Sequence, residues 1–142
     1  MSPEERFSHA LHNTARLWRA ALDRRMKDLG ISQSGWLAVA YIAKAEAPLS
    51  QSELAALLSV EAATVVSAVD KLEKAGLVTR VVCESDRRVK HLELTEAGQG
   101  VYLKVRGKAD EMRSQLLSGI APDKLALTTD ILEQLQLLIE NS

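Results

Sequence analysis

This chain is poor in cysteine, proline and aromatic residues, and it has no excess of either charge. The single cysteine, Cys83, excludes an internal disulfide and fits a reducing compartment. No apolar run approaches the ~18 residues needed to span a bilayer, so no membrane partner is expected. The first residues, MSPEERFSHALHNTARLW, carry acidic side chains and lack the apolar core of a signal peptide, which argues against export. With 18 Lys and Arg against 19 Asp and Glu, the formal net charge is −1, which removes bulk charge as a basis for nucleic-acid binding. Any case for DNA must then rest on where individual charges stand. There is no glycine-rich phosphate loop, nucleophile elbow or paired-histidine helix motif, so neither an enzyme nor a cofactor is expected. Repeats, low-complexity tracts and evident linkers are also missing. What remains is a cytoplasmic protein of 142 residues, one domain or one domain plus an extension, with 46% hydrophobic residues to form a core.

Apolar residues recur at helical spacing over 5–29 (Phe7, Leu11, Trp18, Leu22, Met26, Leu29), and Gly30 stands where a helix stops. Ser32 opens a second helix through Trp36, Val39 and Ala43, ending before Pro48. Ser50 and Glu53 have capping-box spacing at the head of a short third helix that Ser59 interrupts. A fourth helix over about 61–75 closes at Gly76. The period then changes: LVTRVVC and VKHLEL read as an antiparallel hairpin. Thr95 caps a long helix reaching about Ser118, in which Gly98, Gly100 and Gly107 predict a bend or a close approach. Pro122 suits the first position of a final helix. The fold class is therefore mainly α with a small β-hairpin. A compact middle, 48–94, stands between helical ends, 1–47 and 95–142. Those ends hold more apolar surface than the middle can cover, which predicts pairing with a second copy.

QSELAALLSVEAATVVSAVDKLEKAG fits a helix-turn-helix. Ala55 is small enough for two helices to cross closely, and Leu54, Leu58, Val60, Val65 and Ala68 supply the apolar flanks. A hairpin immediately after such a pair forms a wing, which places the second helix in a major groove and the wing tip beside the neighbouring minor groove. The wing turn, CESDRRVKHLELT, contains no glycine. A narrow minor groove attracts a guanidinium, so Arg87 or Arg88 can act as the inserted cation while Asp86 orients an arginine fork.

At these residues the chain resembles the MarR family of bacterial transcription regulators, and within it the SlyA-like group. The resemblance is carried by Asp86, Arg88 and Leu94–Thr95 in the wing, by LEKAGLVTR (72–80), and by ARLWRAALDRRMKDLGISQSGW (15–36). It implies a nucleoid-associated homodimeric winged-helix protein that binds a near-palindromic operator as double-stranded DNA and is relieved by a small aromatic or phenolic ligand. The candidate DNA contacts are Ser50, Gln51, Ala62, Ala63, Thr64, Ser67, Asp86, Arg87, Arg88 and Lys90. SlyA-like relatives commonly have arginine where Ser67 stands and proline where Ala63 stands. Without that arginine, direct base readout weakens, because Thr64 and Ser67 can donate only single hydrogen bonds.

For the ligand the resemblance points to a pocket between the dimerisation helices and the winged helix. Trp36 matches a pocket position, Tyr41 is its neighbour, and Arg16 or Arg19 could pair with an aromatic carboxylate. Ala40 and Ser67 stand where relatives supply polar pocket groups. By spacing alone Trp18, Trp36 and Tyr41 are core residues. His9, His12 and Glu5 share a helical face without completing a metal site. A reactive Cys83 would have Arg80 and the wing arginines to lower its pKa. A winged helix used for protein–protein assembly, without specific DNA binding, is the alternative, favoured by the neutral charge.

Overall fold

The computed structural model describes residues 1–142. Its elements are α1 (Pro3–Arg25), a 3-10 turn (Lys27–Leu29), α2 (Gln33–Lys44), β1 (Leu49–Ser50), α3 (Gln51–Leu58), α4 (Ala62–Lys74), β2 (Val78–Val82), β3 (Lys90–Leu94), α5 (Glu96–Leu117) and α6 (Pro122–Glu140). They fall into two compact units, residues 1–109 and 110–142, with α5 running through the division.

Local chemistry explains most of the boundaries. The Ser32 hydroxyl accepts the Gly35 N–H at 3.2 Å and starts α2. Ser50 and Glu53 form the expected capping box, each accepting the other's backbone N–H at 3.1 Å. Gly30 and Gly76 end their helices with φ of 68° and 77°, the left-handed region glycine enters without strain. Ser59 takes the same region, φ 55°, in the turn of the helix-turn-helix, at a cost of about 1 kcal/mol relative to glycine. Across that turn α3 and α4 are bent by 110°, within the range of DNA-binding helix pairs.

The core of residues 1–109 has two parts. The larger joins Val39 of α2, Leu54 of α3, Val65, Val69 and Leu72 of α4, and Val78 and Leu92 of the sheet. The smaller joins Met26, Trp36 and Val105. Between them they seat the helix-turn-helix on α2 and on the first half of α5. The close approach expected near the α5 glycines is at Gly98: a Cβ there would collide with the Leu77 carbonyl oxygen, whereas Gly100 and Gly107 face open space. In residues 110–142 Met112 is buried, while Leu127, Leu137, Leu138 and Ile139 of α6 remain exposed.

Three expectations need correction. The first helix does not run on to residue 29. It stops at Arg25, and Lys27–Leu29 tighten into a 3-10 turn while Met26 packs into the smaller core. The hairpin is part of a three-stranded sheet of order β1-β3-β2, with Leu49 opposite Leu92 and Ser50 opposite His91. A two-residue strand carries no period to read, and Pro48, which has no N–H to give, leads into it at the sheet edge. Val60 is exposed, because in the turn it contributes its backbone N–H, donated to Ala55 O at 3.1 Å, in place of an apolar contact.

Candidate nucleic-acid interface

The wing alternates as a half-buried hairpin must. Val78 and Leu92 point into the core, and the residue opposite Leu92 is Arg80. At the tip the chain turns through 83–89, closed by the Cys83 N–H on Val89 O at 2.9 Å and the Val89 N–H on Asp86 O at 3.0 Å. Inside that turn Asp86 accepts from Arg88 three times. The Arg88 backbone N–H and Nε reach Oδ1 at 3.1 Å each, and an Nη reaches Oδ2 at 3.3 Å. The two-edged arginine–carboxylate pair anticipated for the wing is thus present. The Asp86 carboxyl is held below the usual carboxylate range, first by the Arg88 guanidinium bond and then by the Arg88 N–H. Although paired, the Arg88 side chain is 90% exposed. Arg87 and Lys90 are also exposed.

Ala62, Ala63, Thr64 and Ser67 all lie exposed on the first two turns of α4. Glu61 precedes them without a side-chain cap, so the amide N–H groups of that end are not taken by a capping side chain. Ser50 is half-buried, and its hydroxyl oxygen is occupied by Glu53 N–H, which leaves its proton as a donor. An open groove of about 480 Å³ runs along α4, lined by Ser32, Ser34, Ala63, Thr64, Ser67 and Lys71 among others.

Gln51 is placed differently from expectation. Its Oε1 accepts from Arg80 Nε at 2.9 Å, while its amide N–H₂ keeps both donors for a ligand. The same Arg80 bonds Asp70 at 2.7 Å and Glu73 at 3.0 Å, and its side chain is only 14% exposed. Reading the sequence did not anticipate this cluster around Arg80. The available signal was a charged residue at an inward position of the strand pattern VTRVV.

Arg80 is likewise not what acts on Cys83. The thiol is shifted down by its contact with the Ser85 hydroxyl, at 3.1 Å, and then by the backbone N–H groups of Asp86 and Ser85.

The four candidate ligand residues do not converge. Trp36 is 2% exposed in the smaller core, and its indole N–H donates to Asp23 at 2.9 Å. Tyr41 packs against the larger core, and Ala40 against the smaller one. Five residues apart on a helix, Trp36 and Tyr41 face directions about 140° apart. Arg16 and Arg19 lie exposed on α1.

A steep helix pair, a carbonyl-tight junction into α5 and a short sheet with an arginine at its turn define a winged helix-turn-helix. Residues 29–89 match the MarR family as a sequence family. The crystal structure of the transcriptional regulator PA3341 superposes with a TM-score of 0.89 at 36% identity, covering 96% of this chain and 99% of that one. The chain belongs to the MarR family of transcriptional regulators. Two more distant structures share the fold. One is Streptococcus pneumoniae FabT in complex with DNA, with TM-score 0.78 and 23% identity over 97% of this chain and 98% of that one. The other is CouR from Rhodococcus jostii RHA1 bound to p-coumaroyl-CoA, with TM-score 0.81 and 21% identity over 95% of this chain and 94% of that one.

Proposed function

We propose that this regulator acts as a homodimer on a near-palindromic double-stranded operator, as a repressor or anti-silencer relieved by a small aromatic or phenolic ligand. The observation that carries the reading is the wing tip, where a carboxylate clamp holds Arg88 by one side while the guanidinium stays 90% exposed. An arginine already aligned by Asp86 loses little freedom on entering a minor groove. Ala62, Ala63, Thr64 and Ser67 on α4 then face the major groove, with Ser50, Gln51, Arg87 and Lys90 on backbone phosphates. In this division residues 48–94 bind DNA, and residues 1–47 and 95–142 dimerise through apolar side chains left exposed on α1 and α6, such as Leu11 and Leu138. The SlyA-like placement rests on residues 15–36 and the wing. The ligand class rests on the family and on CouR, which binds an aromatic acyl thioester. We assign it to none of Arg16, Arg19, Trp36 or Tyr41.

Binding to random duplex DNA across a salt series tests the reading. Phosphate contacts release counterions, so affinity falls steeply with salt. Assembly with another protein is the second reading, favoured by a recognition helix with no Arg or Lys before Lys71, and it predicts no such slope. An aromatic carboxylate that weakens DNA binding must itself be weakened by DNA by the same factor. Ligand binding with unchanged DNA affinity removes the regulatory part of the proposal.

A further inference from the structure

Arg80 sits on β2 at the inward position between Val78 and Val82, and its guanidinium spends its donors on four residues of two other elements, α3 and α4. Nε donates to the Gln51 side chain at the first turn of α3, at 2.9 Å. Its two Nη atoms reach α4 at the Glu73 carboxylate (3.0 Å), the Asp70 carboxylate (2.7 Å) and the Val66 carbonyl (3.5 Å). Val66, Asp70 and Glu73 form one stripe of the helix, spaced i, i+4 and i+7. The stripe begins beside Ser67. The fork geometry of a guanidinium lets one side chain fix several acceptors at set angles, which a lysine ammonium on a flexible stem cannot do. At 14% exposure, with its edges occupied, Arg80 has little left to offer a phosphate.

On the reading of this chain as a DNA-binding winged helix, we propose that Arg80 is a positioning residue for recognition. It touches no DNA. It fixes the wing against α3 and α4, so that Arg88 reaches its groove in register with Thr64 and Ser67. Asp70 and Glu73 are then anchor points for the wing, although as acidic residues on the recognition helix they would be expected to repel DNA. A surface ion pair with casual geometry would contribute little. Here one partner is largely buried, and the bonds tie together elements far apart in sequence.

The test is a double-mutant cycle on a duplex that the native protein selects from a randomised pool. Arg88→Ala is measured in the native background, in Arg80→Ala and in Arg80→Lys. We expect Arg80→Ala and Arg80→Lys each to weaken binding about tenfold. We also expect Arg88→Ala to cost about tenfold in the native protein and less than about threefold in either Arg80 variant, because coupled residues are not additive. Additive losses overturn the proposal, since a fold staple or an independent contact does not change what Arg88 is worth. Retention of affinity by Arg80→Lys also overturns it, because a charge alone would then suffice. Should Arg80→Ala fail to fold, the pair Asp70→Asn with Glu73→Gln strips the anchor from its exposed side and enters the same cycle with the same outcomes. A native protein that selects no duplex defeats the DNA-binding reading itself. One that selects a duplex and loses affinity on Arg88→Ala, but additively, defeats only the role of Arg80.

Discussion

Asp86 and Arg88 are joined by three hydrogen bonds within a span of three residues, one from the backbone N–H and two from the guanidinium. The carboxylate therefore shapes the turn and aims the cation together. Arg88→Ala is expected to weaken DNA binding roughly tenfold while leaving the fold intact, in line with other well-placed arginine contacts. Asp86→Ala is expected to weaken it too, although it removes a negative charge beside DNA. Tighter binding by Asp86→Ala in a titration of the same duplex would show that the carboxylate only repels phosphate.

The pH dependence of that clamp has a definite sign. The Asp86 carboxyl is depressed in the folded protein, so its contribution is complete above the ordinary aspartate pKa of ~3.9 and is lost only as pH falls through the lower folded value. The ratio of native to Asp86→Ala affinity should then be flat from about pH 5.5 to 8. Affinity measurements at both ends check it, and a ratio that collapses at the acid end means the clamp does not hold in solution.

Gly98 is buried in the first turn of α5 against the Leu77 carbonyl. Gly98→Ala forces backbone away from backbone, with no flexible side chain to yield, and should destabilise by about 2–3 kcal/mol as other overpacked sites do. Gly107→Ala is the control, because nothing stands near its added methyl. It should be neutral or slightly stabilising, through helix propensity. Denaturant midpoints for the two variants separate the cases.

Leu138 is 68% exposed on α6 in the single chain. A glutamate there leaves the protomer's own packing alone and places a charge in the proposed dimer interface, where an unpaired buried charge is strongly unfavourable. Native protein should sediment as twice the 15.5 kDa chain, and Leu138→Glu should sediment largely as the single chain. A native species that is already a monomer at micromolar concentration refutes the interface.

Cys83 should alkylate as a thiol of lowered pKa. Its rate with iodoacetamide should reach half-maximum at a lower pH in the folded protein than in the urea-unfolded chain. Ser85→Ala should move that midpoint back up, since the Ser85 hydroxyl is the largest cause of the shift. Arg80→Ala should leave it in place.

What the sequence revealed and what it hid divide along physical lines. Caps and stops were legible because they depend on single residue types at fixed offsets: Ser32, Ser50 with Glu53, Gly76 and Pro122 all stand where local rules put them. The arginine fork at Asp86 was legible for the same reason, since two residues of separation bring those side chains within reach. Arg80 was not, because its partners lie up to 29 residues away and only the folded α3–α4 pair assembles them. Direction is also why Trp36 and Tyr41 do not converge within one chain. Helical spacing places Trp36 and Tyr41 on one helix, but which face meets which core is settled by packing against Met26 and Val105 on one side and by the helix-turn-helix on the other.

The base of the wing is tied shut where α4 ends and α5 begins. Thr95 donates its hydroxyl to Gly76 O at 2.6 Å and its backbone N–H to Leu77 O at 3.0 Å, and its hydroxyl oxygen accepts the Gly98 N–H at 3.0 Å. Everything from Val78 to Leu94 is thus a closed excursion whose two feet are fastened to each other. Lengthening such a loop at its tip costs little, since each doubling adds only about 0.6 kcal/mol of closure entropy. On the proposed reading, the residues that hold the scaffold and those that meet an operator are therefore separable targets of change. Under that same reading, Glu84 and Arg87, which lie outside the Asp86–Arg88 clamp, are where this regulator can exchange residues and change its operator preference while its helices stay as they are.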